Sequence, residues 1–119
     1  MNKEWQISSA YYAMYFSLYA IFMRVGIKCE IHACSIEIMK KILTDYFSSE
    51  EIILLQKSLT ARIDSQYYTD RTVEEEQRIV MVKNAPKFHL KCKEITIMLT
   101  AKEIITIRKI ITNSFSLSL

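Results

Sequence analysis

Ile7-Ser8-Ser9-Ala10-Tyr11-Tyr12-Ala13-Met14-Tyr15-Phe16-Ser17-Leu18-Tyr19-Ala20-Ile21-Phe22-Met23 runs without a charged side chain. Within it and just beyond, Ile7, Tyr11, Met14, Leu18, Ile21 and Val25 fall at alternating spacings of four and three, one face of a helix. The other faces carry Tyr12, Tyr15, Phe16, Tyr19 and Phe22. A helix that is apolar all round sits at the centre of a fold, covered on several sides. The run is at the lower length limit for a membrane span, and Ser8, Ser9, Ser17 and its tyrosines oppose that use. It reads as a buried core helix from about Trp5 to Val25, with no membrane partner. Gly26 follows where a left-handed C-terminal cap is expected.

Working outward, Ile27 to Ile31 reads as a short loop. A second helix is expected from about His32 to Tyr46, with Ile36, Met39, Leu43 and Phe47 as its buried stripe. Ser48 and Glu51 stand at capping-box spacing and open a third helix, which carries Ile52, Leu55 and Leu59 and reaches about Tyr67. Tyr68 to Thr72 is a polar break. Thr72 and Glu75 repeat the capping-box spacing, and Glu74, Glu75 and Glu76 suit the positive end of a helix. The last helical region is expected from about Val73 to Thr112. Pro86 lies inside it, so a kink or break is expected near Asn84 to Pro86. Residues 113–119 read as a frayed tail. The fold class is therefore all-α: one domain over residues 1–119, four helices or five if Pro86 makes a true break. Short connections favour antiparallel neighbours in a bundle.

Composition agrees. The chain has 119 residues, enough for a core without staples, and its single glycine and single proline leave too few turns for a β-sandwich. The net charge of +3 neither demands nor excludes a nucleic-acid partner. Cys29, Cys34 and Cys92 are an odd number with no secretory leader ahead of them, which reads as reduced thiols in a cytoplasmic protein.

Two stretches carry a family resemblance. Ser9-Ala10-Tyr11-Tyr12-Ala13-Met14-Tyr15 resembles the YYAM signature of prokaryotic HEPN proteins, and Arg24 to Lys28 with His32 resembles the turn that follows it. Arg62-Ile63-Asp64-Ser65-Gln66-Tyr67-Tyr68 resembles the segment near the end of that family's third helix, and Phe88 to Lys93 fits its final helix. The resemblance spans about residues 5 to 110. It implies a HEPN-like bundle that commonly dimerises and is often encoded beside a minimal nucleotidyltransferase in toxin–antitoxin-like pairs. The family usually has a further helix before the YYAM helix, whereas four residues precede Trp5 here. Either the chain is a short version or its true start lies upstream. A missing helix would expose one flank of the first helix, which a partner subunit could cover.

The family's ribonucleases carry an arginine followed by a histidine after four to six residues. Metal-free RNA cleavage needs a base for the 2′-hydroxyl proton and a cation for the phosphate, and these two residue types supply them. Arg62 fits the arginine. Tyr67, Tyr68 and Thr69 fill the three histidine positions, and a phenol with a pKa of about 10 is a poor base at neutral pH. No catalytic residue is therefore assigned. Arg62, Asp64, Tyr67, Tyr68 and His32 are the binding candidates.

Arginine beside tyrosines can hold phosphate and stack a base, which points to RNA or a nucleotide. A structural cluster, with Arg62 paired to Asp64 and the tyrosines packed, stays open, as does a ribonuclease toxin with a displaced tyrosine or His32 as base. A purely structural interaction subunit is the third reading. Cys29, His32, Cys34, His89 and Cys92 have short spacings but no CxxC pair, so neither a metal nor another cofactor is expected. The aromatic face of the first helix reads as core or dimer interface. Lys83, Lys87, Lys91, Lys93, Lys102, Arg108 and Lys109 read as a solvated basic face, with weak RNA binding as the sharper alternative.

Overall fold

A computed structural model of the chain describes residues 2–29, 31–67 and 72–115. It holds five helices and, among the described residues, no strand. α1 (Lys3–Val25) starts two residues earlier than its apolar pattern implies, because Asn2 caps it. The Asn2 side-chain oxygen accepts from the backbone N–H of Glu4 at 2.8 Å and of Trp5 at 3.2 Å. α1 ends at Gly26, whose φ of 87° is left-handed. The Gly26 N–H donates to the Phe22 carbonyl at 2.9 Å and the Ile27 N–H to the same oxygen at 2.8 Å, so two donors close the helix end.

α1 is the central helix. Tyr11, Met14, Leu18 and Phe22 are fully buried, and α3, α4 and α5 all pack against it. Burying such a side chain stabilises the fold by roughly 1.5–3 kcal/mol. No helix among the described residues is long and apolar enough to cross a membrane.

α2 (His32–Ile42) stops four residues short of the expected Tyr46. Leu43 caps it, and the N–H groups of Tyr46 and Phe47 fold back on the Leu43 carbonyl. The expected stripe is buried throughout: Ile36, Met39, Leu43 and Phe47 all lie in the core. Its last two members reach the core from a turn, where Phe47 stacks on Phe88 and the Tyr46 hydroxyl donates to Glu103 at 2.8 Å.

α3 (Ser49–Tyr67) opens on the expected capping box. The Ser48 N–H donates to Glu51 Oε1 at 2.8 Å, and the Glu51 N–H donates to Ser48 Oγ at 3.2 Å.

α4 (Glu75–Met98) and α5 (Ala101–Phe115) correct two expectations. Thr72 does not cap α4. The cap residue is Glu74, which makes no side-chain cap bond. Pro86 does not break the helix either. It lies on an exposed face of α4, and packing of α4 along α1 holds the helix on both sides of it. The break falls instead at Leu99–Thr100. Leu99 is extended and buried, and Thr100 and Glu103 form a second capping box that starts α5. α5 runs on through residues 113–115, the start of the expected frayed tail; residues 116–119 lie outside the described residues.

The neighbours are not all antiparallel. α3 runs opposite to α1, since Gln66 reaches Ser8 while Arg62 reaches Tyr12. α1 and α4 run parallel: Gln6 pairs with Arg78, Ser17 with His89 and Arg24 with Leu99, both numbers rising together. Short connections set the direction of consecutive helices only. The loop after Gly26 returns the chain to the middle of α1, so His32 starts α2 beside Tyr11 and Tyr15.

Candidate functional site

Antiparallel packing of α3 on α1 decides which side chains meet. A step of four residues toward the start of α3, from Gln66 to Arg62, matches a step of four along α1, from Ser8 to Tyr12. Arg62 is thereby laid over aromatic rings. Its guanidinium carbon lies 4.8 Å from the Tyr12 ring centre, 5.8 Å from that of Tyr67 and 6.0 Å from that of Tyr11. Ring faces carry partial negative charge, so this is a favourable seat for a cation. The buried Nε of Arg62 has no hydrogen-bond partner.

His32 enters the same cluster from α2. Its ring stacks on Tyr15 with centroids 4.0 Å apart and planes 11° from parallel. It also stacks on Tyr11 and meets Tyr12 edge-on. Its Nδ1 lies 2.6 Å from the Tyr11 hydroxyl oxygen. Burial raises the Tyr11 phenol well above its ordinary range, Tyr15 adds to the rise, and Arg62 pulls the other way. Burial lowers the His32 pKa, and the nearby positive charge of Arg62 lowers it further. Tyr11 and His32 are therefore a neutral pair at neutral pH. Either the phenol donates to Nδ1, or Nδ1–H donates to the phenol oxygen and leaves the Nε2 lone pair free.

Of the residues expected from sequence, Arg62, Tyr67 and His32 come together. Asp64 does not join them. Two residues on a helix turn the direction by about 200°, so Asp64 lines a separate pocket with Lys57, Thr60 and Gln77 where α3 meets the start of α4. Tyr68 lies outside the described residues. Tyr11, Tyr12 and Tyr15, read from sequence as core or interface, pack against His32 in the same cluster, with Tyr11 and Tyr15 buried in the core. The signal was present: a buried tyrosine needs a partner for its hydroxyl. Tyr11 finds His32, and Tyr15 lies 3.3 Å from Ser35 Oγ.

The other histidine sits elsewhere. His89 faces α1, where the Ser17 hydroxyl donates to the Ala13 carbonyl at 2.6 Å. Ser17 Oγ therefore accepts from His89 Nδ1–H at 2.7 Å.

Cys34 lies beside Cys29. Hydrogen bonding to that neighbour, then burial, pushes its thiol up to about 11. Cys92 is buried in the core and is pushed up to about 12, chiefly by that burial. Protonated thiols are poor metal ligands. Among the described residues, no three His, Cys, Asp or Glu side chains are grouped to hold a metal ion.

No protein-family model matches the chain, and neither a curated protein nor a solved structure matches it.

Proposed function

We propose that the chain is a HEPN-type helical module that binds single-stranded RNA or a nucleotide at Arg62, Tyr12, Tyr67 and His32. One observation carries this reading: the Arg62 guanidinium rests on the rings of Tyr12 and Tyr67. Rings that hold a cation in this way present it to a phosphate, and half-buried Tyr12 and exposed Tyr67 supply stacking surface for a base. The resemblance at the YYAM and Arg62 segments points the same way. It also makes a minimal nucleotidyltransferase the protein partner to test first.

A second reading rests on the position of His32. The base that the spacing after Arg62 lacks is replaced in space by a neutral imidazole in the same tyrosine cluster. That geometry suits metal-independent RNA cleavage, with His32 taking the 2′-hydroxyl proton and Arg62 holding the phosphate. One experiment separates the two readings. Labelled single-stranded RNA is incubated in chelator with the native chain, Arg62→Ala and His32→Ala. Binding without cleavage, weakened by Arg62→Ala, supports the module. Cleavage lost in both variants supports the enzyme. Equal binding by all three proteins, with no cleavage, sinks both.

A further inference from the structure

The parallel pairing of α1 and α4 leaves a groove of about 860 Å³ between them, bordered on one side by Tyr12, the ring nearest Arg62 of α3. On α1 its exposed lining includes Ser9, Ala13, Phe16 and Ala20, spaced four, three and four residues apart. On α4 it includes Val82, Pro86 and His89, spaced four and three. These are the spacings of a heptad seam, here on two parallel helices whose paired residues rise together. All seven are solvent-exposed, and Phe16 is 60% exposed. Two seams side by side form the seat for a third helix, whose apolar residues would enter as knobs. From Gln6 to Ala20 the groove is about 21 Å long, or roughly four turns of helix.

Charge identifies the occupant. Lys83 and Lys87 are exposed along the α4 side, each one residue around from the seam, and neither makes an ion pair among the described residues. The α1 side has no charge between Glu4 and Arg24. A second copy is a poor fit. Paired through this face, it would present only the same Lys83 and Lys87 edge and the same uncharged α1 edge. The exposed side of its α5 brings Lys102, Arg108 and Lys109, which are also basic. We infer that the α1–α4 groove docks an amphipathic helix of another protein, with an apolar heptad face and acidic residues along the edge that meets Lys83 and Lys87.

The test uses the whole chain and a fluorescein-labelled synthetic helix of about 18 residues, with leucine at the two seam positions of each heptad and glutamate beside them. A twin peptide carries lysine in place of glutamate. Fluorescence anisotropy is expected to show the glutamate peptide binding at least about tenfold tighter than its twin, with an advantage that shrinks in high salt. Ala13→Trp fills the groove from an exposed position and should cut that affinity at least about tenfold. Ala20→Arg is the second groove variant if Ala13→Trp loses its helical circular dichroism. Lys83→Glu with Lys87→Glu should reverse the preference between the peptides. Equal binding of both peptides overturns the inference, as does binding indifferent to the groove variants. Sedimentation showing a dimer of the chain that Ala13→Trp dissociates overturns it in favour of a second copy.

Discussion

The Tyr11 hydroxyl oxygen and His32 Nδ1 lie 2.6 Å apart, a bond that ties the middle of α1 to the first residue of α2. Both groups are neutral near pH 7, and Tyr11 is fully buried. Removing the hydroxyl would leave the imidazole nitrogen without its partner, and a lost buried hydrogen bond costs about 1–2 kcal/mol. Tyr11→Phe should therefore lower unfolding stability by roughly that amount in urea titrations. A variant as stable as the native chain would show that the bond contributes nothing net.

His32 should titrate below the ordinary histidine range when its ring signals are followed by NMR against pH. The physical sign is fixed by the unfolded chain. As pH falls below the ordinary value, the unfolded imidazole takes a proton that folded His32 refuses, so stability declines from there down to the lowered folded value. Burial is the larger cause and Arg62 the second. Arg62→Ala should thus move the His32 midpoint upward without restoring it fully. An unmoved midpoint would mean that the two groups do not interact.

Tyr12 offers a cleaner probe of the cation seat. Its ring is the nearest to the Arg62 guanidinium carbon, at 4.8 Å. Tyr12→Phe keeps a ring face, whereas Tyr12→Ala removes it. Tyr12→Ala should cost about 0.5–2 kcal/mol of stability and Tyr12→Phe much less, as measured by chemical denaturation. In a double-mutant cycle with Arg62→Ala, most of the Tyr12→Ala loss should vanish. Full additivity would remove the cation–ring contact from the account.

Residues that signal through local chemistry were legible in the sequence. The Ser48–Glu51 box, the Gly26 cap and the stripes of α1 and α2 all stand where local rules put them. The α4–α5 break was misread because Pro86 is a loud local signal and Thr100–Glu103 a quiet one. A proline that lies on an exposed helix face can be tolerated when packing holds both sides, whereas a buried extended Leu99 followed by a capping box ends the helix. The candidate site was only half legible. Arg62, Tyr67 and His32 could be named singly, but spacing along the chain does not reveal that a loop returns His32 to α1. The parallel run of α1 and α4 was hidden for the same reason.

A side chain at Gly26 should cost stability. A Cβ there would lie 3.1 Å from Arg108 Nη1, the movable end of a long side chain, so space is the smaller problem. The left-handed φ of 87° is the larger one, at about 1–2 kcal/mol for an L-residue. Gly26→Ala should lower stability by about that much, and Gly26→Asn by less, because asparagine enters this region more readily. Equal losses for alanine and asparagine in urea titrations would put the cost on Arg108 instead of the backbone.

Glu51 joins two functions in one carboxylate: it completes the capping box with Ser48 and pairs with Lys91 across α3 and α4. Burial works against its charge, but the bonds from Lys91 and Ser48 outweigh it, so its pKa is lowered. A carboxylate lowered in the folded state contributes stability above its unfolded pKa and loses it as pH falls through the folded value. Glu51→Gln should therefore cost about 1 kcal/mol near neutral pH, allowing for the partial exposure of both partners. The gap to the native chain should close in acid, as seen by thermal unfolding at stepped pH. Glu37→Gln is the matched control, because its pair with Lys41 is exposed on both sides and should be worth less than about 0.5 kcal/mol. A Glu51→Gln deficit that persisted below the carboxylate range would assign the loss to packing, not to charge.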